Sequence, residues 1–157
     1  MKRAAEIAEV RTFEELEHIR DLFRGYQAEL PEQLRFPDVE WQTLPGSYSP
    51  PAGTLLLARI GVQPAGCVGL RPFPLEGACE IKRLYVRASY RGENLGRRLT
   101  EHIIDAARAL GYKRMRLDTH PPTMGAAVAL YRRFGFVEVP AVPVVPVDGL
   151  LYLELLL

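Results

Sequence analysis

The residues Arg91-Gly92-Glu93-Asn94-Leu95-Gly96 have the makeup of an anion-binding turn. Two glycines allow tight backbone geometry, and the turn opens a segment of helical period. A helix start presents N–H groups without intrahelical acceptors and the positive end of the helix dipole, which together favour a phosphate-bearing ligand. Arg91, Arg97 and Arg98 flank the turn and add guanidinium groups suited to a pyrophosphate. The turn is neither a Walker loop nor a dinucleotide fingerprint, because GxxxxGK[ST] and GxGxxG are both absent. Cys67 and Cys79 each fall in a predicted strand, with no CxxC or His–Cys cluster and no neighbour placed to form a thiolate. They read as buried reduced thiols, not as a disulfide, a metal site or a nucleophile. A reducing compartment, the cytoplasm, is the expectation.

The surrounding elements must position this turn. Strand alternation over Cys79–Val86 leads into it, with a slip: Cys79 and Ile81 are two apart, Leu84 follows three later, and Val86 resumes the step of two. Such a slip predicts a β-bulge near Lys82-Arg83 that would splay the strand from a neighbour. Behind the turn, Leu95, Leu99, Ile103, Ala106 and Leu110 form the apolar stripe of a helix that ends before Gly111.

Earlier in the chain, Ile7–Val10 reads as a short strand. Thr12 and Glu15 fit a capping box, and Phe13, Leu16, Ile19, Phe23, Tyr26 and Leu30 form one face of a helix stopped by Pro31. Residues 30–51 are irregular and proline-rich, with a short helix expected near Pro37–Leu44. Thr54–Ile60 and Pro64–Phe73 form a hairpin around Gly61. Further on, Lys113–Thr119 is a strand. Thr123 is expected to cap a helix carrying Ala127, Leu130, Tyr131 and Phe134, and Phe136–Val139 and Leu150–Leu157 are the last strands. The order β-α-(α)-β-β-β-α-β-α-β-β predicts an α/β (α+β) fold. Its sheet should be mixed, mostly antiparallel, of six to seven strands, splayed in the middle and flanked by about four helices, in a single domain spanning 1–157.

Composition limits the function classes. The chain has 157 residues, 48% hydrophobic and 25% charged, with a formal net charge of +1. That is an ordinary globular composition with no global pull toward nucleic acid. Arg91, Arg97, Arg98, Lys113, Arg114 and Arg116 are read onto different faces and make no basic stripe, so no nucleic-acid partner is expected. No apolar run approaches the roughly 20 residues of a membrane span. The first residues carry acids from Glu6 onward and lack an apolar core, so no signal peptide is expected.

The order EIKRLYVRASYRGENLG, amphipathic helix, RMRLDT, ALYRRFGF resembles the GNAT superfamily of acetyl-CoA-dependent N-acetyltransferases over essentially the whole chain. Two family blocks carry the resemblance. The pyrophosphate loop R/Q-G-x-G-x-G/A is matched by Arg91, Gly92, Glu93, Asn94, Leu95 and Gly96, and the late A-x-x-LY-x-x-x-GF block by Ala127, Leu130, Tyr131, Gly135 and Phe136. There are two departures. Asn94 replaces the middle glycine, a position where Asn tolerates left-handed geometry. Met124 stands where the family often has an Asn that contacts the pantetheine arm.

The resemblance implies acetyl-CoA as co-substrate and no metal. The pyrophosphate would lie on residues 91–96 beside Arg97, and the pantetheine would pair with the backbone of Leu84, Tyr85 and Val86 like an added strand. An N–H there would also face the negative charge developing on the acyl oxygen. It implies acetyl transfer to a primary amine of a small molecule or peptide by direct attack in a ternary complex. Glu80 is the candidate base and Tyr131 the candidate acid. Asp118 and His120 are the other candidate bases; an ion pair is the alternative reading of Glu80, and a packed core aromatic that of Tyr131. Arg132 and Arg133 are either a 3′-phosphate contact or surface charges. The segment 30–51 with the end of the first helix offers Glu29, Glu32, Asp38, Glu40, Trp41 and Tyr48, a set suited to a cationic amine. The alternative function is an acyl-CoA-binding sensor without chemistry. Many relatives dimerise, and the apolar C-terminal strand offers a surface for a homodimer.

Overall fold

The computed structural model describes residues 4–157. In chain order the elements are β1 (Ala5–Glu9), α1 (Phe13–Glu29), the short α2 (Val39–Gln42), β2 (Thr54–Ile60), β3 (Gln63–Pro72), β4 (Ala78–Val86), α3 (Leu95–Ala109), β5 (Arg114–Thr119), α4 (Pro121–Arg133), β6 (Val137–Glu138) and β7 (Leu151–Leu156), with three single 3₁₀ turns. The strands make one seven-stranded sheet in the order β1-β2-β3-β4-β5-β7-β6. Every pairing is antiparallel except β4 with β5, the pair joined through α3. This is the mixed, mostly antiparallel α/β sheet with four helices that the element order predicts.

Strand alternation sends side chains to two apolar clusters, one on each face. Leu55 and Leu57 of β2 meet Ile19, Leu22 and Phe23 of α1, while Leu56 and Ala58 join Leu95, Leu99 and Ile103 of α3 and Tyr131 of α4. Each fully buried Leu, Ile or Phe contributes about 2 kcal/mol by removal from water. Gly69 on β3 is needed because a Cβ there would lie 2.6 Å from the Tyr48 ring, which packs flat against the strand.

The capping box at Thr12 and Glu15 is formed in full. Some boundaries differ from the sequence expectation. Phe13, at the first turn of α1, is 76% exposed, and Leu110 caps α3 and is 43% exposed, so neither extends its buried stripe. α4 begins at Pro121, not after Thr123, because a proline at the first helical position loses no hydrogen bond. The Thr123 hydroxyl turns back to His120, and the helix kinks at Met124 (φ −128°, ψ 32°). Among the described residues no helix is long and apolar enough to cross a membrane.

Candidate active site

The central feature is a bulge in β4. Between the pairs Cys67↔Tyr85 and Gly69↔Lys82, β3 advances two residues and β4 three. Arg83 takes the left-handed conformation (φ 58°), and its carbonyl accepts a hydrogen bond from the Cys67 thiol (3.5 Å). The extra residue inverts the alternation. Ile81 and Tyr85 would share a face in a regular strand, yet Ile81 packs on the α3 side and Tyr85 on the α1 side. Pairing of β4 with β5 ends at Glu80↔Arg116, and beyond it the two strands diverge.

The backbone facing that gap follows from the hydrogen-bond alternation. Arg87 N–H donates to Ala65 O, so Tyr85, two residues earlier, also directs its backbone groups to β3. Leu84 and Val86 therefore face the gap, and Leu84 has no strand partner among the described residues. Of the Leu84–Val86 stretch, then, two residues present open backbone and Tyr85 does not. The Val86 carbonyl accepts from Arg91 Nε at 2.8 Å.

The loop after β4 has two left-handed residues, Gly92 (φ 85°) and Asn94 (φ 62°). Asn94 thus takes the conformation that a glycine would supply. The first helical bond of α3 is Arg98 N–H to Asn94 O, so the N–H groups of Gly92, Glu93, Asn94, Leu95, Gly96 and Arg97 donate to nothing among the described residues. A Cβ on Gly96 would meet no atom within 4 Å. Internal packing gives no reason for glycine at that helical position, whereas close approach of a ligand to bare backbone does. Each arginine around the loop has a partner within the fold. Arg91 is held by Glu29 (2.7 Å) and Val86 O, Arg97 pairs with Glu101 (3.0 Å), and Arg98 reaches Ala5 O (3.1 Å). Tyr85 also donates to Glu29, which ties the end of α1 to the loop. Arg132 and Arg133 are exposed at the end of α4.

The gap between β4 and β5 opens into a cavity of about 340 Å³ that passes from one face of the sheet to the other. Tyr26, Leu30 and Phe36 line its α1 side, and Ala127 and Tyr131 its α4 side. Tyr131 is 6% exposed and packs against Phe136, and its hydroxyl makes no hydrogen bond among the described residues. Burial, with the nearby Tyr26 and Asp118, pushes its hydroxyl well above the usual tyrosine value, so it stays protonated. Met124 lines this cavity and the narrower channel that runs past Leu84, Val86 and Arg91.

A second cavity of about 240 Å³ adjoins the first and shares Lys82, Leu117, Asp118, Val147 and Leu150 with it. Glu80 lines this second cavity and not the one that holds Tyr131. Its carboxylate accepts from Arg71 Nε at 2.6 Å, with Lys82 Nζ 4.0 Å away. Asp118 lines both cavities and accepts from Lys82 Nζ at 2.8 Å. His120 lines the first, with its Nδ1 2.8 Å from the Thr123 hydroxyl.

Of the four acids expected on the acceptor side three are already bound, and Glu32 is exposed with no side-chain partner among the described residues. Glu29 is bound as above, Asp38 accepts from Gln27, and Glu40 grips Arg83 through both oxygens. Trp41 is covered by Arg24 at 4.3 Å, and Tyr48 is 1% exposed. Arg71 and Arg116, which sequence reasoning did not place at the site, line the second cavity. The visible signal for Arg71 was a lone charge at the end of an otherwise apolar strand; Arg116, which alternates with apolar residues in a strand that also carries Arg114 and Asp118, had none. Among the described residues no group of three or more His, Cys, Asp or Glu could hold a metal ion.

Known proteins resemble this chain. The chain is 38% identical over 152 residues to an uncharacterised N-acetyltransferase of Schizosaccharomyces pombe, covering 95% of this chain and 93% of that protein. It is 37% identical over 83 residues to an IAA acetyltransferase of Azospirillum brasilense, covering 53% of this chain and 54% of that one. The PaiA N-acetyltransferase of Thermoplasma acidophilum, solved in complex with coenzyme A, has the same fold. Its TM-score is 0.75 at 18% identity, over 98% of this chain and 99% of that chain. Residues 15–136, from α1 through the end of the ALYRRFGF block, match the acetyltransferase (GNAT) family. With the splayed β4–β5 pair, the open loop before α3 and a near full-length relative in agreement, the chain belongs to the GNAT family of acetyltransferases.

Proposed function

We propose that the chain moves an acetyl group from acetyl-CoA to a primary amine of a small molecule or peptide by direct attack, with both substrates bound together. The observation that carries this reading is the gap between β4 and β5. At one end lie the free N–H groups of residues 92–97, along it the open backbone of Leu84 and the N–H of Val86, and at its far side Tyr131. The GNAT family uses acetyl-CoA, and the residues present fit it. The loop can receive a pyrophosphate without losing any bond of its own, and Gly92 and Gly96 leave room for one.

Acetyl-CoA, when bound, supplies the activated acyl group; the chain orients it and handles protons. The loop N–H groups hold the phosphates, and Leu84 and Val86 align the arm as an extra strand would. Holding the amine beside the thioester turns an encounter into an intramolecular step. Tyr131, neutral at physiological pH, donates its O–H to the leaving sulfur and regains a proton from solvent. The amine must lose a proton. Asp118 is the carboxylate that shares the Tyr131 cavity, so it takes that proton directly or through water. Glu80, held by Arg71 on the other side of Lys82, is the second carboxylate of the pair.

The test is thiol release from acetyl-CoA with a broad panel of primary amines, alongside calorimetric binding of coenzyme A. Amine-dependent release that falls in Tyr131→Phe supports the reading. Coenzyme A binding with no release on any amine, unchanged in Tyr131→Phe, would show a sensor instead.

A further inference from the structure

Resting on the amine-acetylation reading, we infer that the acceptor is a small amine carrying its own carboxylate, an amino acid, bound with its amine at Asp118 and its carboxylate at Arg71. The second cavity, next to the Tyr131 cavity, is lined by three cations, Arg71, Lys82 and Arg116, and two carboxylates, Glu80 and Asp118. The acids that brace the outer cations, Glu40 and Glu154, line neither cavity. The surface offered to a substrate is therefore richer in donors than in acceptors.

Those donors are largely unused. Arg71 has five N–H groups, and the hydrogen bond it makes is from Nε to Glu80; its Nη1 lies 3.6 Å from Glu40. Lys82 has three, of which one reaches Asp118. Arg116 is committed to Glu154, Pro140 O and Val142 O and serves as scaffold. Arg71, at the end of β3, is the cavity-lining guanidinium whose Nη donors make no hydrogen bond among the described residues, and a carboxylate is the planar anion that two such donors bind at once. Asp118, which belongs to both cavities, accepts from the amine where it can meet the thioester. A simple cationic amine would find Lys82 and Arg71 repulsive and leave their donors unpaired. The cavity size and its wall of Phe73, Val144, Val147 and Leu150 suit a compact substrate with an apolar side chain.

The experiment measures thiol release with a set of α-amino acids, each paired with its carboxamide and its decarboxylated amine. At least one amino acid is expected to exceed its amide in kcat/KM by about tenfold or more, although the amide's amine is less basic and more often unprotonated. Arg71→Gln is then expected to raise the KM of that amino acid about tenfold and that of the amide by clearly less, so that the preference for the acid collapses, and Arg71→Lys to restore part of the preference. Equal losses for amino acid and amide would make Arg71 scaffold and overturn the assignment. Turnover of amides or simple amines in preference throughout would overturn the carboxylate inference and leave amine acetylation standing. No release with any amine would overturn both.

Discussion

Glu40 holds Arg83 through a two-pronged ion pair, Nε–Oε2 at 2.6 Å and Nη2–Oε1 at 2.8 Å, with the Arg83 guanidinium 3.8 Å above the Phe36 ring. The irregular segment after α1 is thereby fastened to the left-handed residue of the β4 bulge. That conformation costs an arginine roughly 1–2 kcal/mol. The pair and the ring contact offset it, so the splay that opens the active site depends on a contact made 43 residues away.

Glu40→Gln is expected to destabilise the fold by about 1–3 kcal/mol, because it leaves a largely buried guanidinium without its counter-charge. Burial alone would raise the Glu40 carboxyl, but the hydrogen bonds and charges of Arg83 and Arg71 hold it below its usual 4.5. A depressed carboxyl contributes stability that is complete above the unfolded value and fades as the pH falls through the folded one. Thermal unfolding followed from about pH 6 down to about pH 3 should show a drop in Tm, and the drop should be smaller in Glu40→Gln.

Gly96→Ala separates folding from binding. The new methyl meets no protein atom within 4 Å, and alanine is favoured over glycine in a helix by about 1 kcal/mol. The variant should melt at the same temperature or higher while its affinity for coenzyme A, measured by calorimetry, falls at least about tenfold as the methyl intrudes on the ligand's approach.

Tyr131→Phe should lower kcat about 10²-fold, with little change in the KM for acetyl-CoA or in Tm, since the hydroxyl makes no hydrogen bond within the described residues. An unchanged kcat would remove Tyr131 from proton transfer and leave it as core packing.

Asp118→Asn and Glu80→Gln distinguish the two carboxylates. Asp118→Asn is expected to lower kcat by about 10²-fold, with activity recovering toward high pH, where the amine arrives already deprotonated. Glu80→Gln, which releases Arg71, should act mainly on the acceptor KM. The opposite pattern would return the base to Glu80.

Burial pushes the thiols of Cys67 and Cys79 up to about 12. Neither should react with a thiol reagent near pH 8 in the native protein, and both should react on unfolding. Because both folded values lie above the unfolded 9.0, stability should be whole below that pH and decline as the pH rises past it. Rapid native labelling would show that the sheet opens locally.

Much of the site could be read from local pattern, because local pattern follows backbone geometry. The apolar slip at Lys82-Arg83 marked the bulge, since side chains alternate strictly and one extra residue shifts them all. Glycine and asparagine before a helical stripe marked the open loop, since those residues accept positive φ at least cost. The ALYRRFGF block placed Tyr131 on the helix that reaches the same core. Side-chain partnership was not readable, because it depends on which long, charged side chains from distant strands come within hydrogen-bond reach. Arg91 is paired with Glu29, Glu80 is held by Arg71, and Asp38 and Glu40 of the irregular segment are already bound. The sequence alone determined the order of elements along the chain, the bulge and the loop; only the tertiary structure decided that Asp118 shares a cavity with Tyr131 and that the acceptor side is lined by cations, because those charges come from β3, β4 and β5 and meet only when the sheet closes.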